Sequence, residues 1–399
     1  MSIKEFYKQH LLNDELIHKT GFNPYYVNVE SGLDDSLIID GEKFINLASN
    51  NYIGIANDER IKEATINAIN KYGLSLCATP IASGCADLYR NLSQQLSDFV
   101  GLESSIIYPS CYQANNGLFS AIANKDDVII IDRYAHSSLV EGVRAVGCKI
   151  RPFLHNNLEN LEKNLKNSSN HKQIFVVTES VFSTEGSIAP FAEIVELCEK
   201  YGAIPVIDDS HGIGVIGKTG KGILEYSGIE DYQGIYTASL GKSIGNLGGM
   251  ISGKRSLIEF MKYSSSHLMY STAITPAILA GIEKAINIIE EEFDVLGGKM
   301  WKYRNKLRNS LIESGYNVKD AEAPITSIIT GTSEKTILFA KKLYENKILA
   351  TPFIFPSVPK NQGVIRMIVG ANLKEETVDR AIEILKRIKN NKWQAPNNK

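Results

Sequence analysis

The chain has 399 residues, 43% hydrophobic and 22% charged, an ordinary globular composition with length for two or three domains. A formal net charge of −2 excludes the strongly basic balance of a nucleic-acid binder. The opening MSIKEFYKQH has no apolar signal core, and no uninterrupted apolar run reaches membrane-spanning length. Five scattered cysteines (Cys77, Cys85, Cys111, Cys148, Cys198) with no CxxC pair indicate neither a zinc site nor a disulfide framework; the expectation is a cytoplasmic protein with reduced thiols and no metal.

Residues 1 to about 40 read as a helix and an irregular arm, with GFNPYYVNVESG as a turn or strand. FINLASNNYIGIAND starts like a strand and stops at Asn50 and Asn51, residues suited to turns. Ile61, Ala64, Ala68 and Tyr72 recur at helical spacing, as do Leu88, Leu92, Leu96 and Val100, so helices are expected over Asp58–Tyr72 and Asp87–Val100. Between them GLSLCATPIASGC is a loop of small residues. From about residue 100 to 255, short apolar runs alternate with amphipathic helices, the pattern of a mainly parallel sheet covered by helices. Beyond Gly253 come little pattern over Lys254–Leu257, a hydroxyl-rich SSSHLMYSTAITPA, a long helix over about Pro276–Ser314, and a smaller α+β region. The tail QAPNNK reads as disordered. The expected division is an arm over 1–45, a large domain over 46–285 and a small C-terminal domain over 286–399.

Ligands on open parallel sheets bind where the strands end. Each apolar run here ends in a polar cluster. IIYPSCYQ places Ser110, Cys111 and Tyr112 where a helix begins, a position for a phosphate or for an ordinary serine cap. IIIDRYAH ends at His136, whose ring suits either stacking on a planar ligand or a structural role. FVVTESVFS ends at Glu179, Ser180 and Ser183. PVIDDSH delivers Asp208, Asp209, Ser210 and His211. Ser239 and Lys242 follow the run from Ile235, and Lys242 is bracketed by Gly241, Gly245, Gly248 and Gly249.

A lysine in an apolar pocket loses its proton readily, and the free amine forms a Schiff base. An acid such as Asp208, 34 residues earlier, can hold a pyridinium nitrogen protonated. Small residues and hydroxyls can take a phosphate. Together these are the parts of a pyridoxal phosphate site. Taken alone, Asp208 also fits a helix cap and Lys242 a surface residue. Arg366 stands inside the apolar run VIRMIV, as a clamp for a carboxylate or as an edge-strand residue facing solvent.

From about Tyr25 to Ile388 the chain resembles the α-oxoamine synthase family of fold-type I pyridoxal phosphate enzymes. The resemblance rests on five motifs in order: SNNYIGI, YPSCYQANNGLF, FSTEGSIAPF, IDDSHGIGVIGKTGKG and the Lys242 segment. It implies that Lys242 carries the cofactor and then acts as base at the amino acid Cα. Asp208 would pair with the pyridine nitrogen, His211 would touch the phenolic oxygen with Ser183 nearby, and His136 would stack on the ring. Ser239 and the Ser110–Cys111–Tyr112 turn would bind phosphate. Thr272 would reach it across a homodimer interface with shared sites, and Asn50 and Arg366 would hold the amino acid carboxylate. The implied reaction joins a small amino acid to an acyl-CoA, releasing CoA and usually CO2 to leave an α-aminoketone.

Some segments depart from the family. The usual arginine of a GTR- or GSR-like segment falls at Pro80, and a histidine further on falls at Tyr89. AHSSLVEG and FLHNN resemble autoinducer synthases of the cholera type, which also lack that arginine. DDSHGIGVIG and FPSVPKNQGVIR resemble 2-amino-3-ketobutyrate CoA ligase, and GFNPYY resembles bacterial serine palmitoyltransferase. The expectation is an aminoketone synthase of autoinducer or sphingoid type. The alternatives are the ketobutyrate ligase, a plain aminotransferase on the same fold, and a cofactor-binding protein without catalysis.

Overall fold

The computed structural model describes residues 3–9 and 15–390, so the tail QAPNNK lies outside the described residues. Among the described residues thirteen strands follow in chain order: β1 (Leu37–Ile39), β2 (Glu42–Asn46), β3 (Ser104–Tyr108), β4 (Val128–Asp132), β5 (Lys149–Phe153), β6 (Ile174–Glu179), β7 (Ile204–Asp208), β8 (Ile235–Ser239), β9 (Gly249–Gly253), β10 (Thr326–Gly331), β11 (Ile348–Leu349), β12 (Thr351–Phe353) and β13 (Gly363–Met367). Seven of them form one sheet in the order β3-β9-β8-β7-β6-β4-β5. Only β9 runs antiparallel to its neighbours.

The apolar character of both faces explains why this sheet is buried. Val128 and Ile130 of β4, with Ile174 and Val176 of β6, enter one hydrophobic core. Ile129, Ile131, Phe175 and Val177, one residue out of phase, enter a second core on the opposite face. With a period of two, a strand buried on both sides reads as an unbroken apolar run, as VIII and IFVV do. Helices cover both faces, and several of their starts are capped by side chains. Asp58, Ser110 and Asn157 accept backbone N–H groups of the first turns of Glu59–Tyr72, Cys111–Ile122 and Leu158–Lys166.

A smaller region packs beside the large sheet. The antiparallel sheet β10-β13-β12 shares a core with Tyr303, Leu307 and Leu311 of the long helix and with Ile45 and Leu47. Residues near the N-terminus thus complete the C-terminal core: β2 pairs in parallel with β11, more than 300 positions later. The long helix, Pro276–Glu313, runs unbroken through residues 285 and 286, where the two domains were expected to divide. Its first half lies in the large core and its last turns in the small one. The stretch from Lys254, which shows little pattern, is a helix over Arg255–Ser264. No helix among the described residues is long and apolar enough to cross a membrane.

Tyr89, at the position of the family's histidine, does structural work. Its hydroxyl donates to Ile107 O at 2.7 Å and accepts from Ile107 N at 3.1 Å, satisfying both backbone groups of that residue on the edge strand β3. Pro80 lines a surface groove against the same edge strand.

Candidate active site

Parallel register brings the strand ends together. Glu179 pairs with Asp208, and Asp208 with Thr237, so β6, β7 and β8 finish side by side. They open onto a cavity of about 220 Å³ lined by Ser110, Cys111, Tyr112, His136, Asp208, Ser239 and Lys242, among others. Seven of the site residues expected from sequence, drawn from four strand-end segments, therefore meet in one place.

Lys242 lies in the connection from β8 to β9, which is closed at its neck by Leu240 N–H donating to Gly248 O at 3.0 Å. Burial holds the Lys242 amine below its usual pKa, against the opposing pull of Asp208. Asp208 is locked in place: Oδ1 accepts Ser210 N–H at 3.0 Å and Oδ2 accepts Asn115 Nδ2 at 2.8 Å. Asn115 is fully buried on the helix that begins at Cys111, four residues from its start. It was not singled out in the sequence, although a polar residue on the stripe shared with Leu118 and Phe119 was a signal.

The end of the cavity nearest Ser110 and Gly249 is built from backbone. A Cβ on Gly249 would fall 2.3 Å from Cys111 N, and Gly248 has φ of +127°, so only glycine lets this loop pass the start of the helix. Ser239 Oγ accepts Gly241 N–H at 3.2 Å, and Ser110 Oγ caps Gln113 N–H at 3.2 Å. Burial pushes the Cys111 thiol up, which keeps it neutral; its Sγ lies 3.4 Å from Ser210 Oγ.

Two histidines flank the cavity. His136 Nδ1 accepts Ser138 N–H at 3.2 Å, and its backbone N–H donates to Glu179 Oε1 at 2.6 Å. Burial lowers its pKa. His211 stands behind the cavity wall, 4% exposed, with Nδ1 2.8 Å from the hydroxyl of Tyr52. Burial, Lys242 and Arg366 hold it well below the ordinary histidine range, so it is neutral at neutral pH. Tyr52 was legible only as part of SNNYIGI; its approach to His211 spans 159 positions.

Next to His211, Asp209 is wrapped by the glycine-rich segment. A Cβ on Gly212 or Gly222 would fall 1.9 Å from its carboxylate oxygens. Asp209 Oδ2 accepts Ile223 N–H at 2.9 Å and the Tyr236 hydroxyl at 2.8 Å. Burial pushes its pKa up to about 7. The glycines of HGIGVIGKTGKG thus serve an internal anchor that fixes the loop behind Asp208 and His211.

The remaining expected residues lie apart from the cavity lining. Arg366, 6% exposed, donates from Nη1 to Ser183 O at 3.2 Å and stacks 4.9 Å over the Phe353 ring. Among the described residues its Nε has no partner, and neither has the buried Oδ1 of Asn50. Burial lowers the Arg366 pKa, and no acidic side chain pairs with it among the described residues. Ser183 lines a second chamber of about 590 Å³ with Arg133, Tyr134, Phe353 and Phe355. Thr272 is exposed, between Met269 and Pro276, and lines neither chamber.

Residues 42–385 match the family model for aminotransferase class I and II. The chain belongs to that family. Within it the chain is an α-oxoamine synthase, a pyridoxal phosphate-dependent acyltransferase of fold type I. It is 35% identical to 8-amino-7-oxononanoate synthase of Thermoanaerobacter pseudethanolicus over 385 residues, covering 96% of each chain. It is 34% identical to the enzyme of the same name from Treponema denticola over 373 residues, 93% of this chain and 94% of that one. Among solved structures, serine palmitoyltransferase of Sphingomonas wittichii superposes with a TM-score of 0.92 at 25% identity, over 98% and 99% of the two chains. An 8-amino-7-oxononanoate synthase from Francisella tularensis shares the fold at a TM-score of 0.75 and 23% identity, over 88% and 99%.

Proposed function

We propose that this enzyme joins a small amino acid to an acyl-CoA thioester, releasing CoA and CO2, with both substrates held at once. The observation that carries this reading is the pair of chambers. The chamber of about 220 Å³ holds Lys242 and Asp208, and the chamber of about 590 Å³ adjoins it, sharing His136 and Glu179 as a common wall. An aminotransferase takes its two substrates in turn through one site. A condensing enzyme needs room for the second beside the first.

Pyridoxal phosphate, held by Lys242, supplies an electron sink for the amino acid Cα. The rest falls to side chains. Asp208, fixed by Ser210 and Asn115, keeps the ring nitrogen protonated. The helix start at Cys111 and the Ser239 hydroxyl take the phosphate. The depressed pKa of Lys242 makes its amine a base for the Cα proton. His136 would stack on the ring, and neutral His211, held by Tyr52, would serve the phenolic oxygen. Thr272, exposed beside the 82%-exposed Tyr270, serves the phosphate of a second copy in a homodimer.

Arg366 is a buried cation without a counter-charge, a state that costs several kcal/mol (~3–5) when one partner of a buried pair is missing. The amino acid carboxylate supplies the missing charge, with Asn50 beside it. Arg366→Ala is expected to raise the KM for the amino acid about 100-fold or more and the acyl-CoA KM far less. Equal effects on the two constants would move Arg366 out of the carboxylate site.

The product belongs to the α-aminoketones, of the autoinducer or sphingoid kind; the name of the curated relatives adds an acyl group with a distal carboxylate to the comparison. The test is CoA release from acetyl-, medium-chain, palmitoyl- and dicarboxylic acyl-CoAs against glycine, alanine, serine, threonine and 2-aminobutyrate, with product masses. Medium or long neutral acyl chains favour the autoinducer or sphingoid kind. Acetyl-CoA with glycine reassigns the enzyme to the ketobutyrate ligase class, and a dicarboxylic acyl group to that of the curated relatives. No CoA release from any pair by the cofactor-loaded enzyme would sink the condensation.

A further inference from the structure

Glu179 ends β6 and is 5% exposed. Two chain neighbourhoods converge on it. Its Oε1 accepts the His136 backbone N–H at 2.6 Å, the one hydrogen bond described for this side chain. In register it stands beside Asp208. Among the described residues, only Glu179 and His136 line both chambers. A bond between a substrate in one chamber and a substrate in the other must form at that wall. His136 is occupied with ring stacking in the reading above, which leaves the Glu179 carboxyl as the polar group facing the new bond.

The groups around Glu179 decide its protonation. Burial raises its pKa most, and Asp208 at the end of β7 and Asp132 at the end of β4 raise it further. Lys242 and the His136 N–H pull it down. The outcome is a pKa well above the ordinary carboxylate range, which favours the protonated carboxyl. With Oε1 serving as acceptor, the proton sits on Oε2, free to be donated.

On the condensation reading, we propose that Glu179 donates a hydrogen bond to the thioester carbonyl oxygen while the carbon–carbon bond forms. As the amino acid Cα bonds to the carbonyl carbon, the C=O π pair moves onto oxygen. When that pair returns, the C–S bond breaks and the CoA thiolate leaves, taking up the equivalent of the proton lost from Cα. Glu179 keeps its own proton throughout. A neutral acid in a water-poor wall stabilises the transient oxyanion, whereas a carboxylate there would repel it.

Two variants and two readouts test this. Glu179→Gln keeps the acceptor for His136 N–H and a neutral donor on the other arm. It is expected to retain kcat within about tenfold and to lose the alkaline fall of kcat that ionisation of Glu179 produces. Glu179→Ala is expected to lose about 10²–10³-fold in kcat, with the acyl-CoA KM and the spectral response to the amino acid unchanged. Independently of activity, infrared spectra of cofactor-free protein should show a protonated carboxyl at neutral pH that disappears in Glu179→Gln. An ionised Glu179 at neutral pH, or a glutamine variant as slow as the alanine variant, overturns the proposal. If the wild-type enzyme binds cofactor and amino acid yet releases no CoA, the condensation reading itself fails, and this role goes with it.

Discussion

Lys242→Ala is expected to fold, to lose the visible absorbance of lysine-bound cofactor, and to turn over at least about 10³-fold more slowly. Two functions disappear together. The covalent tether goes, and so does the base for the Cα proton. The neck at Leu240–Gly248 and the turn from Gly245 N–H to Lys242 O, which shape the loop, are backbone contacts that alanine keeps. Absorbance and CoA release on the same preparation check the expectation. A normal absorbance band in the variant would mean that another lysine carries the cofactor.

Asp208→Asn is expected to bind cofactor yet lose about 10²–10³-fold in turnover. Asparagine has one acceptor oxygen where aspartate uses two, for Ser210 N–H and Asn115 Nδ2. In the present orientation of Asn115 its amide leaves one of those donors unmatched, and it brings no negative charge to hold a ring proton. The fold should survive, because β7 is otherwise held by ladder bonds to β6 and β8. Steady-state kinetics with circular dichroism separates the two effects. Near-normal turnover would remove Asp208 from the mechanism.

Much of the site was legible because strand-end chemistry is local. PVIDDSH and YTASLGK each show an apolar run handing over to polar residues, and a parallel sheet places such ends in a row. Lys242, Asp208, His136, Ser239 and the Ser110 turn could therefore be named before their meeting was known. Partners that depend on distant segments were not legible. Asn115 reaches Asp208 across 93 positions, and Tyr52 reaches His211 across 159. Tyr89 is a similar case: in sequence it was a departure from the family's histidine, and the structure shows its hydroxyl bound to the backbone of Ile107 on the edge of β3.

By itself the sequence determined the alternation of strands and helices in the large region, the family and a candidate lysine among small residues. Hydrophobic period and glycine placement act over a few residues, and the motif segments keep their order along the chain. Tertiary structure decided what lies between the segments. It joined β2 to β11 so that the N-terminal arm completes the C-terminal core, and it carried one helix through residues 285 and 286. It buried Arg366 without a counter-charge and set Glu179 in the wall between two chambers. Burial and the summed field of Asp208, Asp132, Lys242 and Arg366 come from side chains far apart in the chain. For that reason the protonation of Glu179 and His211 follows from the packed structure and from no local stretch of sequence.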